Sequence, residues 1–169
     1  MPIEQWILGV EDLLVRTPGL LARINEPSYD QCKLNRVHVD FLDDADDVAA
    51  LRPFFVIRER ELAWTAAGDS GDVLYSEPVI QVAYTESVKW PDDHKRSKLD
   101  FVTFFGTMLQ HIAEQQNRPI FDIPETSYLP ISHIQVTHQA TRSRPYREDP
   151  NVAGTAYWWT AFVLHIGYR

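Results

Sequence analysis

The chain has 169 residues, of which 44% are hydrophobic and 24% are charged, as is usual for one globular domain. Its formal net charge of -8 argues against a protein that grips a phosphate backbone, because such proteins need clustered Lys and Arg. The single cysteine, Cys32, excludes an internal disulfide framework and a cysteine-based zinc cage.

The first residues lack the basic segment and small-residue cleavage site of a signal peptide. No apolar run approaches the ~18 residues that predict a membrane span. We therefore expect a protein that is made in the cytoplasm and has no membrane partner.

Apolar residues at helical spacing predict a first helix over residues 3–16, which the Pro18-Gly19 pair ends. A short apolar segment, LLARI, follows and closes at Asn25. Val37 and Val39 then alternate with polar residues and predict a short, half-buried strand over residues 37–41.

Residues 54–64 and 73–87 are rich in β-branched and aromatic side chains, and a glycine-containing segment joins them. This pattern predicts a β-hairpin whose loop, at about 65–73, projects from the domain.

Ser97 and Asp100 have the spacing of a capping box, which predicts a central helix from about Lys98 to Asn117. Its predicted apolar face carries Leu99, Val102, Phe105, Leu109 and Ile112, and it is widened by Phe101, Phe104 and Met108. A face this broad indicates a helix buried against a sheet and against a neighbouring subunit.

Alternating residues predict a second hairpin from 128–144 and 155–169, with a projecting loop at about 141–155. The two hairpins should pair into one antiparallel sheet packed against the first and central helices. The chain is therefore predicted to be a single α+β domain over residues 1–169.

The last predicted strand is apolar on both faces, which is typical of a strand covered on both sides. Because neighbouring side chains on a strand point to opposite faces, Trp158 and Trp159 should differ. We expect Trp158 in the core, and Trp159 with Tyr157 against an adjacent subunit.

No catalytic residue, cofactor site or metal site is predicted. Ser70, in GDSGD, reads as a turn residue because the motif of a nucleophile elbow is absent. His133 and His138 are five residues apart on a predicted strand, so they should face opposite sides and cannot both bind one ion.

One predicted loop is basic, with Arg142, Arg144 and Arg147, and another is acidic. The acidic loop carries four carboxylates, those of Asp43, Asp44, Asp46 and Asp47. We expect the basic loop to contact acidic residues of a neighbouring subunit. The acidic loop of that subunit is a natural counterpart. A solvated loop and a nucleic-acid contact are the alternatives for the basic loop.

The order of these elements resembles the tail terminator proteins of tailed bacteriophages over most of the chain. The matching stretches are IEQWILGVEDLL, LRPFFVIRERELAW with VLYSEPVIQVAYTES, KLDFVTFFGTMLQHIAEQQ, and YLPISHIQVTHQ with YWWTAFVLHIGYR. The resemblance implies a structural virion protein without catalytic residues, located in the tail or neck.

The same resemblance implies a hexameric ring that caps the tail tube, stops its growth and meets the head-to-tail connector. In contractile tails the ring would also hold the sheath protein, and DNA would pass through its lumen without specific binding. Another neck or head-completion protein is one alternative. A small-ligand-binding α+β domain, with Tyr157, Trp159 and His165 lining a pocket, is the other.

Overall fold

The structure is a computed structural model that describes residues 3–40, 52–67, 72–114, 131–143 and 156–166. Its helices are α1 (Ile3–Val15), α2 (Leu20–Ile24), α3 (Tyr29–Arg36) and α4 (His94–Glu114). Its strands are β1 (Val37–Val39), β2 (Phe54–Ala67), β3 (Asp72–Ser87), β4 (Ile131–Ser143) and β5 (Tyr157–Ile166).

The strands form one five-stranded sheet in the order β1-β2-β3-β5-β4. The predicted α+β class is confirmed, but the sheet is mixed and not antiparallel. β2, β3, β5 and β4 pair antiparallel, whereas β1 runs parallel to β2, with Val37 opposite Phe55. A strand of only three residues carries too short a pattern to reveal the direction of its partner.

The predicted strand at 37–41 ends early, because Asp40 adopts a left-handed backbone with a φ of 64°. The segment before it forms α3, a helix that the periodicity did not predict. α3 buries only Cys32 and begins at Ser28, whose side chain accepts a hydrogen bond from the backbone of Gln31 at 3.2 Å. A helix held by a cap and one buried residue shows no apolar stripe.

The hydrophobic core lies between the helices and one face of the sheet, which we call the inner face. α1 matches its predicted range closely and contributes Trp6, Val10 and Leu14. The inner face contributes alternate strand residues, which are Phe55, Ile57, Ile80, Val82, Tyr84, Trp158, Phe162, Leu164 and Ile166.

α4 begins one turn earlier than predicted, at His94 and not after Ser97. The Asp93 carboxylate accepts a hydrogen bond from the backbone of Arg96 at 2.9 Å and so occupies the capping position. The predicted apolar face is also displaced, since Leu99 is 58% exposed and Val102 is 43% exposed. The buried face consists of Phe101, Phe104, Phe105, Met108 and Ile112, and its aromatic rings lie against Tyr84, Trp158 and Phe162.

The two predicted projecting loops are only partly described. β2 continues to Ala67 and β3 starts at Asp72, so residues 68–71 fall outside the described ranges. β4 continues to Ser143, and residues 144–155 likewise fall outside them. Across the described ranges, the helices are all too short or too polar to cross a bilayer.

Candidate functional site

β5 separates its two adjacent tryptophans onto opposite faces of the sheet, as predicted. Trp158 is 2% exposed and belongs to the core cluster. Trp159 is partly exposed and lies outside that cluster. The core role of Trp158 is therefore confirmed, and Trp159 marks the opposite side of the sheet, which we call the outer face.

The outer face presents its side chains in rows that follow the strand register. One row joins Phe54, Thr85 and Trp159, and the next joins Val56, Ala83 and Ala161. Small side chains in the second row lie beside large aromatic ones in the first. The outer face is therefore uneven, with a shallow depression over the small side chains next to the aromatic ones.

Several apolar residues of the outer face are buried although they are not part of the core. Phe54 is 5% exposed, and Ala161 and Val163 are each 3% exposed, yet none of the three belongs to the core cluster. The outer side of the sheet thus has buried apolar side chains of its own, separate from the cluster that the helices cover.

Arg52 adds a cation to this surface. Its guanidinium carbon lies 3.7 Å from the centre of the Tyr157 ring, in a cation–π arrangement. Its Nε donates a hydrogen bond to Thr85 Oγ1 at 3.2 Å, and this hydroxyl donates to the Trp158 carbonyl at 3.0 Å. Burial lowers the pKa of Arg52 from its ordinary value. The charge is therefore held in a fixed position over an aromatic ring.

His138 stacks on Trp159 with 3.6 Å between ring centres. The prediction that His133 and His138 face opposite sides is wrong, because the register shifts between Val136 and His138. His138 pairs with Ala161 and His133 pairs with His165, so both lie on the outer face. Strict alternation would place His138 on the inner face, and the extra residue at the irregularity places it on the outer face instead.

Arg52, Phe54, Ala83, Tyr157 and Trp159 border a concavity of about 250 Å³ on the outer face. Its walls are aromatic and its charged group is a guanidinium, so it suits an apolar or aromatic side chain from a protein surface. No group of three or more His, Cys, Asp or Glu that could hold a metal ion occurs among the described residues.

The structure brings together Tyr157 and Trp159 among the predicted site residues. The backbone of Arg142 lies in β4 opposite Trp158. The other predicted contact residues lie outside the described ranges, and these are Arg144, Arg147, Asp43, Asp44, Asp46 and Asp47.

The predicted ligand pocket of Tyr157, Trp159 and His165 is not assembled. Tyr157 is opposite Ser87 at one end of the β3–β5 pairing, whereas His165 is opposite Val79 at the other end. The rings of His165 and His133 are instead neighbours, with 5.3 Å between their centres. Side chains on one face of a strand share a pocket only when they are also close along it.

Sequence reasoning missed Arg52 and His138 as members of this surface. Arg52 precedes β2 and meets a ring from β5, so no local pattern connects the two. For His138, an irregular register could not be read from alternation alone. A scan against protein-family models and a search of curated proteins both find no match to this chain.

Proposed function

We propose that this chain is a structural subunit that assembles with copies of itself into the ring of a bacteriophage tail terminator. The observation that carries the proposal is the position of Trp159, partly exposed on a sheet face outside the core cluster. A large aromatic side chain in this position gains most from burial against another protein surface.

The composition of the outer face supports a protein contact. Trp, Tyr and Arg are the side chains that contribute most binding energy at protein interfaces. Here Trp159, Tyr157 and Arg52 border one concavity, and Arg52 is already ordered by Tyr157 and Thr85. Ordered contact groups lower the entropy cost of association.

The order of elements and the net charge extend the proposal to partners. As a hexameric ring in the tail or neck of the virion, assembled in the host cytoplasm, the protein would cap the tail tube and meet the head-to-tail connector. In a contractile tail it would also hold the last sheath ring. The net charge of -8 repels phosphates, so DNA would pass through the lumen without being retained.

The test uses purified tail tubes of the same phage, imaged by electron microscopy with and without the protein. The account predicts a ring on one end of each tube and an end to further tube growth. A matched pair of variants separates the outer face from general surface effects, with Trp159→Ala on that face and Leu34→Ala at a 75% exposed position of α3.

Trp159→Ala should abolish capping, and Leu34→Ala should leave it intact. Tubes that keep growing in the presence of the folded wild-type protein would contradict the terminator function. A ring that binds the head connector but never the tube would assign the chain to the other neck proteins.

A further inference from the structure

We propose that a groove beside the first turns of α4 binds the acidic segment of residues 41–51 from a second copy of this chain. The groove, which we call the α4 groove, has Arg23, Trp90, Lys95, Arg96, Leu99 and Phe104 in its lining. The inference depends on the self-association proposed above, and it names a contact distinct from the outer face.

The α4 groove has a volume of about 690 Å³. Leu99 borders it with 58% of its surface exposed, although α4 has a fully buried face on its other side. Trp90 lines the same groove and carries the Arg96 guanidinium at 4.2 Å from its ring centre. The groove therefore offers apolar contact area that the core does not use.

The cations of the groove differ in how far they are neutralised. Arg23 lies in ion pairs with Glu86 and with Asp100, so it has no charge to offer a partner. Lys95 is exposed and makes no ion pair with any residue of the described ranges. Arg96 contacts Trp90, an uncharged ring. Lys95 and Arg96 thus remain available to carboxylates.

The occupant should combine carboxylates with apolar side chains. Residues 41–51 read FLDDADDVAAL, with four aspartates between apolar flanks. Opposite charges would meet at Lys95 and Arg96, while an apolar flank would contact Leu99. Asp93 and Asp100 also line the groove, but its lining holds three cations against these two carboxylates, so a positive charge remains for an acidic occupant.

The positions of Asp40 and Arg52, the described residues on either side of this segment, favour a second copy as its source. Asp40 donates its backbone N–H to the Ile57 carbonyl at 2.8 Å, at the β1 edge of the sheet. Arg52 is held over Tyr157 on the outer face. The α4 groove lies on the helix that covers the inner face, so we assign its occupant to a neighbouring subunit.

The experiment titrates a labelled synthetic peptide of residues 41–51 into the full-length chain, at a dilution where its solution mass is that of one chain. The wild-type protein should bind the peptide as strongly as a full-length variant with Asp43→Asn, Asp44→Asn, Asp46→Asn and Asp47→Asn. The full-length variant Lys95→Glu/Arg96→Glu should bind the peptide about tenfold more weakly, since attraction is replaced by repulsion. Lys98→Glu is the matched control, an exposed cation of α4 that does not line the groove.

A peptide in which asparagine replaces all four aspartates should also bind about tenfold more weakly. Absence of binding, or equal weakening by Lys98→Glu, would overturn the proposal. Binding only to the full-length variant with the four asparagines would mean that the segment occupies the groove of its own chain. That result would refute a second copy as the source of the segment. An oligonucleotide that binds instead, and is lost in Lys95→Glu/Arg96→Glu, would replace the acidic segment with nucleic acid. A ring that still forms in any of these cases leaves the proposed function standing without this contact.

Discussion

Trp158 donates its indole N–H to the hydroxyl oxygen of Ser97 across 2.8 Å, in the interior of the protein. Both residues are 2% exposed, so water cannot replace either partner. The bond joins β5 to the first turn of α4, and the Phe101 ring stacks on Trp158 with 5.6 Å between centres. The last strand and the central helix are thereby fixed by a polar contact within an apolar layer.

Ser97→Ala should lower the free energy of unfolding by about 1–3 kcal/mol, because it leaves a buried indole N–H without an acceptor. Trp158→Phe removes the donor, and the double variant should cost less than the sum of the two single variants. Urea denaturation of the four proteins measures this coupling. Strictly additive costs would show that the hydrogen bond adds nothing to stability.

Trp158→Ala and Trp159→Ala should differ although the residues are adjacent. Truncation of Trp158 leaves a cavity in the core and should cost ~3–5 kcal/mol of unfolding free energy. Trp159 lies outside the core cluster, so its truncation should cost clearly less in the monomer. Thermal or urea unfolding at a concentration where the protein is monomeric checks this. Equal losses would mean that both faces of β5 act as core.

Arg23 lies between two carboxylates, within a buried network. Its Nε donates to Glu86 Oε2 at 2.7 Å, its Nη2 contacts Asp100 Oδ2 at 2.6 Å, and Tyr84 donates its hydroxyl to Glu86 Oε2 at 2.8 Å. Burial opposes the charge on Arg23, but the hydrogen bonds to Glu86 and Asp100 outweigh it and raise its pKa.

Arg23→Met should lower the unfolding free energy by ~3–5 kcal/mol, because it leaves the Glu86 carboxylate buried without its cation. Arg23→Met/Glu86→Gln should recover part of that loss, since no unpaired charge then remains at residue 86. Denaturant titrations of the single and double variants measure the difference. A double variant that is less stable than Arg23→Met would refute the explanation by an unpaired charge.

His111 should make the stability of the fold depend on pH. Its ring lies 3.1 Å from the Leu13 carbonyl and joins α4 to α1, and burial lowers its pKa from the ordinary value of 6.5. The unfolded chain therefore takes up a proton at a higher pH than the native chain does. Stability is then fully present above 6.5 and falls as the pH decreases toward the native pKa.

His111→Gln should show a smaller drop in the urea midpoint between one pH unit above and one unit below 6.5. His38 also has a pKa lowered by burial, but it contributes equally to both proteins and cancels in the comparison. An identical pH dependence of the variant and the wild type would exclude His111 as a source of the effect.

Local periodicity predicted the elements whose apolar faces are long enough to repeat. α1 and the two faces of β5 were predicted in this way, because the burial of each is set by its own sequence pattern. The polar helix α3 was not predicted, since its stability depends on the Ser28 cap and its neighbours more than on an apolar stripe.

The features that sequence patterns missed depend on partners that are distant in sequence. Ser97 has the spacing of a helix cap, but its hydroxyl accepts from Trp158, which is 61 residues away. The side of the sheet that His138 occupies depends on a register irregularity, and the place of Arg52 depends on a ring from β5. Such contacts are set by tertiary structure, which local sequence patterns do not report.

Self-association through the outer face is the central claim, and the mass of the protein in solution tests it most directly. The account predicts that the wild type, alone at high concentration or on tail tubes, reaches the mass of a closed ring. Trp159→Ala should keep the mass of one chain under the same conditions while its unfolding midpoint stays close to that of the wild type. A wild type that remains a single chain both alone and with tubes, or a Trp159→Ala variant that assembles as the wild type does, would contradict it.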